Sequence, residues 1–84
     1  MRLDKYLKVS RIIKRRSIAK EMADNGRVLV NGKVAKSASQ LVEGDQIMVL
    51  FGNRQVTVQV KALLDSTKKD DAKEMFDILE DKRV

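Results

Sequence analysis

The heptapeptide VLVNGKV, Val28 to Val34, constrains the fold more than any other stretch of the chain. An Asn-Gly pair between short apolar runs predicts a two-residue hairpin of type I′, because that turn needs positive φ at both central positions. The chain must change period here. Upstream, RLDKYLKVS places Leu3, Tyr6, Leu7 and Ser10 at i, i+3, i+4 and i+7, a short helix with Asp4 in the first turn where the helix dipole favours an anion. A second helix is expected over Arg16–Asn25, with Ile18, Ala19 and Met22 on its apolar face and Gly26 as a left-handed cap. Downstream, Ser37–Val42 reads as a loop and Glu43-Gly44-Asp45 as a turn. IMVLF (47–51) is a continuous apolar run, expected as a well-buried strand. Gly52-Asn53 then turns into RQVTVQV (54–60), whose Val56, Val58 and Val60 alternate as in a strand with one covered face.

The last segment reads as helix again. Thr67 and Asp70 have the spacing of a capping box, with Asp in place of the usual Glu. Ala72, Met75, Phe76 and Leu79 follow at i, i+3, i+4 and i+7, giving an amphipathic carboxyl-terminal helix with an acidic outer face. Packing onto the sheet is favoured for it over docking onto a partner protein. The fold class is therefore α+β: a helix pair packed on a small antiparallel sheet, with a short carboxyl-terminal helix. Eighty-four residues leave room for one core, divided here as residues 1–64 and an extension, 65–84, of the same domain. With Tyr6, Phe51 and Phe76 the only aromatics, that core must be built from Val, Ile, Leu, Met and Ala. There is no 18-residue apolar run, no signal-peptide pattern and no cysteine, so a cytoplasmic protein is expected.

Charge decides among functions. RIIKRRSIAK (11–20) holds five basic residues and no acid. Residues 1–36 carry eleven Lys/Arg against Asp4, Glu21 and Asp24, a net of +8, whereas residues 37–84 carry a net of −2. A merely soluble surface intersperses its signs; segregation on this scale points to a polyanion partner. At 100° per residue Arg16 and Lys20 form a cationic stripe opposite Met22, and Arg11, Lys14 and Arg15 lie beside it. Anionic membrane is disfavoured because no Trp/Phe/Leu face accompanies the charge. The second helix offers no Asn or Gln to read adenine, so phosphate-holding recognition of folded RNA is preferred to base reading in DNA. With no His and no Cys, Ser10, Ser17, Ser37 and Ser39 have no activating imidazole. Asp70, Asp71 and Glu74 read as a helix-start and solubility cluster, and Asp65–Glu74 lacks the glycine and alternating carboxylates of a calcium loop. No enzyme, metal or cofactor is expected.

RLDKYL, then Arg11, Lys14 and Arg16, AKEM, NGRVLVNGKV and EGDQI, in that order, resemble the small RNA-binding domain named after ribosomal protein S-four. Along its whole length the chain resembles the stand-alone bacterial forms, the RqcP-like proteins and their relative the fifteen-kilodalton heat-shock protein. The resemblance implies the alpha-L RNA-binding motif and a groove made by the helices and the hairpin. It also implies a role on the large ribosomal subunit in ribosome-associated quality control: binding rRNA and peptidyl-tRNA on split, stalled subunits and supporting alanine tailing by RqcH. Carried over by position, the RNA contacts would be Arg2, Lys5, Arg11, Lys14, Arg16 and Lys20, with Arg15 as an added cation and Asn31 and Lys33 at the hairpin tip. A monomer with no membrane partner is expected. Two departures stand out. Arg15 replaces the Ser or Thr that usually caps the second helix, and Ser37 lies where a proline is common. The alternatives from other classes are a general structured-RNA or free-subunit binder and a protein–protein adaptor using the acidic helix.

Overall fold

The computed structural model describes residues 1–65 and 68–83. Helix α1 (Leu3–Val9) buries Leu3, Tyr6 and Leu7 completely, the stripe its spacing predicts, and Ser10 just beyond is buried with them. No side chain caps its amino terminus. The free N–H groups find other acceptors: Leu3 donates to the Ser39 carbonyl at 2.8 Å, Asp4 to that of Ser37 at 3.1 Å, and Lys5 to its neighbour Asp4 Oδ1 at 2.8 Å. The loop after the hairpin thus stands in for a cap.

Helix α2 (Arg16–Asp24) begins uncapped at Arg15, as the missing Ser or Thr predicts. It ends in a Schellman motif, Gly26 (φ 78°) donating to Ala23 O and Arg27 to Met22 O. Its buried face differs from the expected one. Ala19 and Ala23 are fully buried, Met22 only partly, and Ile18 is 42% exposed. The helix is turned so that two methyl-sized side chains are fully buried, while Ile18 and Met22 are not.

The sheet follows the predicted turns. β1 (Val28–Val30) and β2 (Lys33–Val34) pair across Asn31 (φ 52°) and Gly32 (φ 83°), both left-handed as type I′ requires. β3 (Gln46–Phe51) pairs with β1 and, across Gly52-Asn53, with β4 (Arg54–Val60). Ile47 and Val49 of β3 lie opposite Val58 and Val56, and these four are buried beneath the helices. β3 is covered on that side only; Met48 and Leu50 on the other face are half-buried.

The carboxyl-terminal segment corrects the expectation. A short helix is present, α3 (Lys69–Ala72), but it stops after four residues. Met75 is buried, and the chain then extends as β5 (Phe76–Arg83), antiparallel to β4, giving the order β2-β1-β3-β4-β5. Leu79, placed on the helical stripe by its spacing, sits at an irregularity in the pairing and is 48% exposed. The physical reason lies in β4, a seven-residue strand whose outer edge would otherwise be open; pairing with β5 satisfies that edge, which a helix, bonding only its own backbone, would leave unpaired. The proposed cap residue Thr67 lies outside the described residues.

One carbonyl ties this segment to α1. Met75 O accepts from the Tyr6 hydroxyl at 2.7 Å, from Lys61 N at 2.8 Å and from Ala62 N at 3.3 Å. Burial raises the Tyr6 pKa well above its ordinary value, so the phenol remains a donor. Because Met75 O keeps two other donors, Tyr6→Phe should cost only about 1 kcal/mol. That is a fall in Tm of about 4–8 °C for a domain of this size, measurable by thermal denaturation.

Candidate nucleic-acid interface

Two of the predicted cations meet at a buried acid. Asp4, whose side chain is 3% exposed, accepts from Arg2 Nε at 3.2 Å (Oδ1), from Arg2 Nη2 at 3.3 Å (Oδ2) and from Arg16 Nη2 at 3.4 Å (Oδ1). The two guanidinium side chains remain 44% and 48% exposed. The carboxylate thus joins the start of α1 to the start of α2, while part of each guanidinium faces solvent. Burial pushes the Asp4 pKa up, but the Arg16 hydrogen bond, the Lys5 N–H and the charges of Arg16 and Arg2 outweigh it and hold it below its ordinary value. Sequence spacing assigned Asp4 only a dipole role. The signal missed was Arg2, two residues earlier, which lets a carboxylate be buried as an ion pair.

The other predicted residues are distributed around this pair. Arg11, Lys14, Arg15 and Lys20 are exposed. Arg11 has φ 62°, a left-handed conformation at the end of α1 where glycine is usual; its N–H closes the helix on Lys8 O, and Ile13 N donates to Leu7 O. Lys5 pairs with Asp65 at 3.0 Å. Lys33 is exposed on β2 at the sheet edge. Asn31 plays a structural part. Its side-chain amide donates to Asp45 Oδ1 and accepts from Gln46 N, both at 3.0 Å, fastening the hairpin tip to the start of β3. The predicted cations are therefore most concentrated on the helix pair.

Ser37, in the region after the hairpin where a proline is common in the family, explains how that loop is held. Its N–H and hydroxyl both donate to the Asp24 carboxylate, at 3.0 and 3.1 Å. The Ser37 N–H does most to lower the Asp24 pKa; desolvation opposes it, and the Ser37 hydroxyl, Lys20 and Lys36 assist. Proline here would remove both donors. Asp4 and Asp24 therefore both titrate below their ordinary value of 3.8. A group with a depressed folded pKa contributes stability that is present above its unfolded pKa and lost as pH falls through the folded one. Unfolding by acid should accordingly set in below about pH 4, and a circular dichroism titration flat to about pH 2 would contradict these roles for the two carboxylates.

Among the described residues no helix is long and apolar enough to cross a membrane. The family model that matches residues 1–47 is the S4 domain. A Streptococcus pneumoniae protein named RQC P-site tRNA stabilizing factor is 57% identical over all of this chain and 96% of its own length. The Bacillus subtilis protein of the same name is 54% identical over all of this chain and 98% of its own. Among solved structures, heat shock protein 15 of Vibrio cholerae, described as trimeric, superposes with a TM-score of 0.86 at 30% identity, covering 93% of this chain and 80% of that one. The S4 model spans the helix pair and the hairpin, and the two relatives match through the carboxyl-terminal strand as well, so the chain belongs to the S4 domain family and, within it, to the RQC P-site tRNA stabilizing factors.

Proposed function

We propose that the protein is a cytoplasmic, non-enzymatic RNA-binding factor of ribosome quality control, and that it acts as a monomer on large ribosomal subunits. It would bind rRNA and P-site peptidyl-tRNA together on stalled subunits that have split, and so support alanine tailing by RqcH. The observation that carries this is the Arg2–Asp4–Arg16 cluster, set on a cation-rich helix pair in a chain 57% identical to an RQC P-site tRNA stabilizing factor. Arg2, Lys5, Arg11, Lys14, Arg15, Arg16 and Lys20 supply positive charge for phosphates, with Lys33 nearer the hairpin. Without a catalytic group of its own, the protein can act only by favouring one state of a larger machine, here the tRNA position from which the next transfer begins.

Two measurements test this. Affinity for structured RNA should fall steeply with salt, with a log–log slope of about −4 if about five cations pair with phosphates; a slope near zero would remove the phosphate-holding surface. In cells, the protein should co-purify with large subunits bearing peptidyl-tRNA in preference to empty ones, and its deletion should abolish alanine tails. Normal tails in the deletion strain would refute the quality-control role and leave a general structured-RNA binder.

A further inference from the structure

A depression of about 200 Å³ lies between the end of α1 and the carboxyl-terminal segment, lined by Ser10, Arg11, Lys69, Ala72, Lys73 and Phe76. Four of these, Lys69, Ala72, Lys73 and Phe76, are spaced i, i+3, i+4 and i+7. Residues 68–74 carry three lysines and three acids, yet they are sorted: Lys69 and Lys73 line the depression, and Asp70, Asp71 and Glu74 do not. Among the described residues, Lys5, Lys61 and Lys82 each pair with a carboxylate, whereas neither Lys69 nor Lys73 forms a salt bridge despite three acids close by in sequence. Like charges four apart on one helical face repel. An arrangement that is locally unfavourable and faces a cavity is the kind found at binding sites.

The floor is apolar, with Ala72 5% exposed and Phe76 half-buried. The wall is almost entirely apolar, so the exposed Lys69 and Lys73 contribute their aliphatic stems to it rather than their ammonium groups; with no acid in the wall this matches a nucleotide, its base against Phe76 and its phosphate on the ammonium groups outside. The volume lies below that of ordinary ligand pockets, about 300–1,000 Å³, and suits a single base. Arg11 belongs both to this depression and to the basic connection between α1 and α2, so a strand on the helix face can continue into it. We propose that the depression holds one unpaired nucleotide of the bound RNA, and that Lys69, Lys73 and Phe76 thereby make the carboxyl-terminal segment part of the RNA interface. This rests on the RNA-binding function proposed above.

The test compares an RNA stem-loop carrying a single-stranded extension with the same stem-loop blunt-ended. The double variant Lys69→Ala/Lys73→Ala is expected to bind the extended RNA about ten-fold more weakly, with a salt slope smaller in magnitude by about 2, and to bind the blunt RNA nearly as the parent does. Phe76→Leu should weaken only the extended RNA and leave the slope unchanged, since stacking carries no charge. Lys82→Ala/Arg83→Ala, which removes the same charge from β5, should affect neither. Equal losses for the two double variants, or equal losses on the two RNAs, would overturn the proposal. So would a polyglutamate peptide that binds as tightly as the extended RNA and is lost in Lys69→Ala/Lys73→Ala, since it would make the depression a protein-docking site. The parent protein separates the levels: if it binds neither RNA, the RNA-binding function itself fails, whereas parent binding that the Lys69→Ala/Lys73→Ala variant leaves unchanged overturns only the depression.

Discussion

Arg16→Ala is expected to weaken RNA binding by about 10- to 100-fold, while Arg83→Ala leaves it within about two-fold. Each substitution removes one positive charge, so bulk attraction to a polyanion changes equally. What differs is placement. Arg16 is held by Asp4 at 3.4 Å, about half-exposed, beside Arg2 on the helix pair, whereas Arg83 is exposed on the outermost strand, β5. A charge-assisted hydrogen bond to phosphate is worth about 1.5–3 kcal/mol, and each 1.4 kcal/mol is a factor of about ten in affinity. Both variants should remain folded: Arg16→Ala loses one hydrogen bond to Asp4, which keeps those from Arg2, and Arg83 faces solvent. Filter binding, with circular dichroism as the folding check, reads the difference. Equal losses would mean that the charge acts only in aggregate.

Asp4→Asn carries the second large effect, and its sign opposes simple electrostatics. The variant raises the net charge from +6 by one unit, which should by itself favour RNA. Binding is nevertheless expected to weaken about three- to ten-fold. Asp4 fixes both guanidinium groups through three hydrogen bonds; without the carboxylate each must be immobilised by the RNA, at about 0.5–1.5 kcal/mol per long side chain. Stability should drop as well, by about 1–3 kcal/mol, since hydrogen bonds to a charged group are lost at a buried position. Glu21→Gln is the control: it removes an exposed acid from α2 and should leave binding unchanged or slightly tighter. Denaturant titration measures the stability change and filter binding the affinity. Tighter RNA binding by Asp4→Asn would show that the acid only opposes the site.

Local chemistry made much of the fold legible in the sequence. Asn31-Gly32 and Gly26 announce backbone angles few other residues adopt, and Val56, Val58 and Val60 alternate without interruption. The failures share one cause, dependence on a partner distant in sequence. Phe76 fits a helical stripe through Ala72 and Leu79 and equally a strand alternation with Ile78; only the open edge of β4 decides between them. Which apolar residues α2 buries, here Ala19 and Ala23, depends on how it packs on the rest of the fold, which no periodicity encodes. At the candidate site the cations were legible as charge, but their organiser was not. Asp4 looked like an ordinary first-turn acid, and Asn31, expected to face RNA, has its amide engaged with Asp45 and Gln46. The sorting of lysines from acids along α3 was present as a spacing of Lys69 and Lys73, hidden by a local net charge of zero.

The Tyr6–Met75 hydrogen bond spans 69 positions of chain, and this separation governs when the molecule can become itself. A helix of seven residues is too short to persist alone in water, so α1 gains its permanence from contacts with the sheet and with Met75. Long-range pairings of this kind raise the contact order and slow folding. During synthesis the cations of residues 2–20 emerge first, and the bond that fastens α1 to the carboxyl-terminal segment can form only after residue 75 has been made. A chain interrupted before that point would keep the charge of residues 2–20 but lack the anchor that Met75 gives to α1.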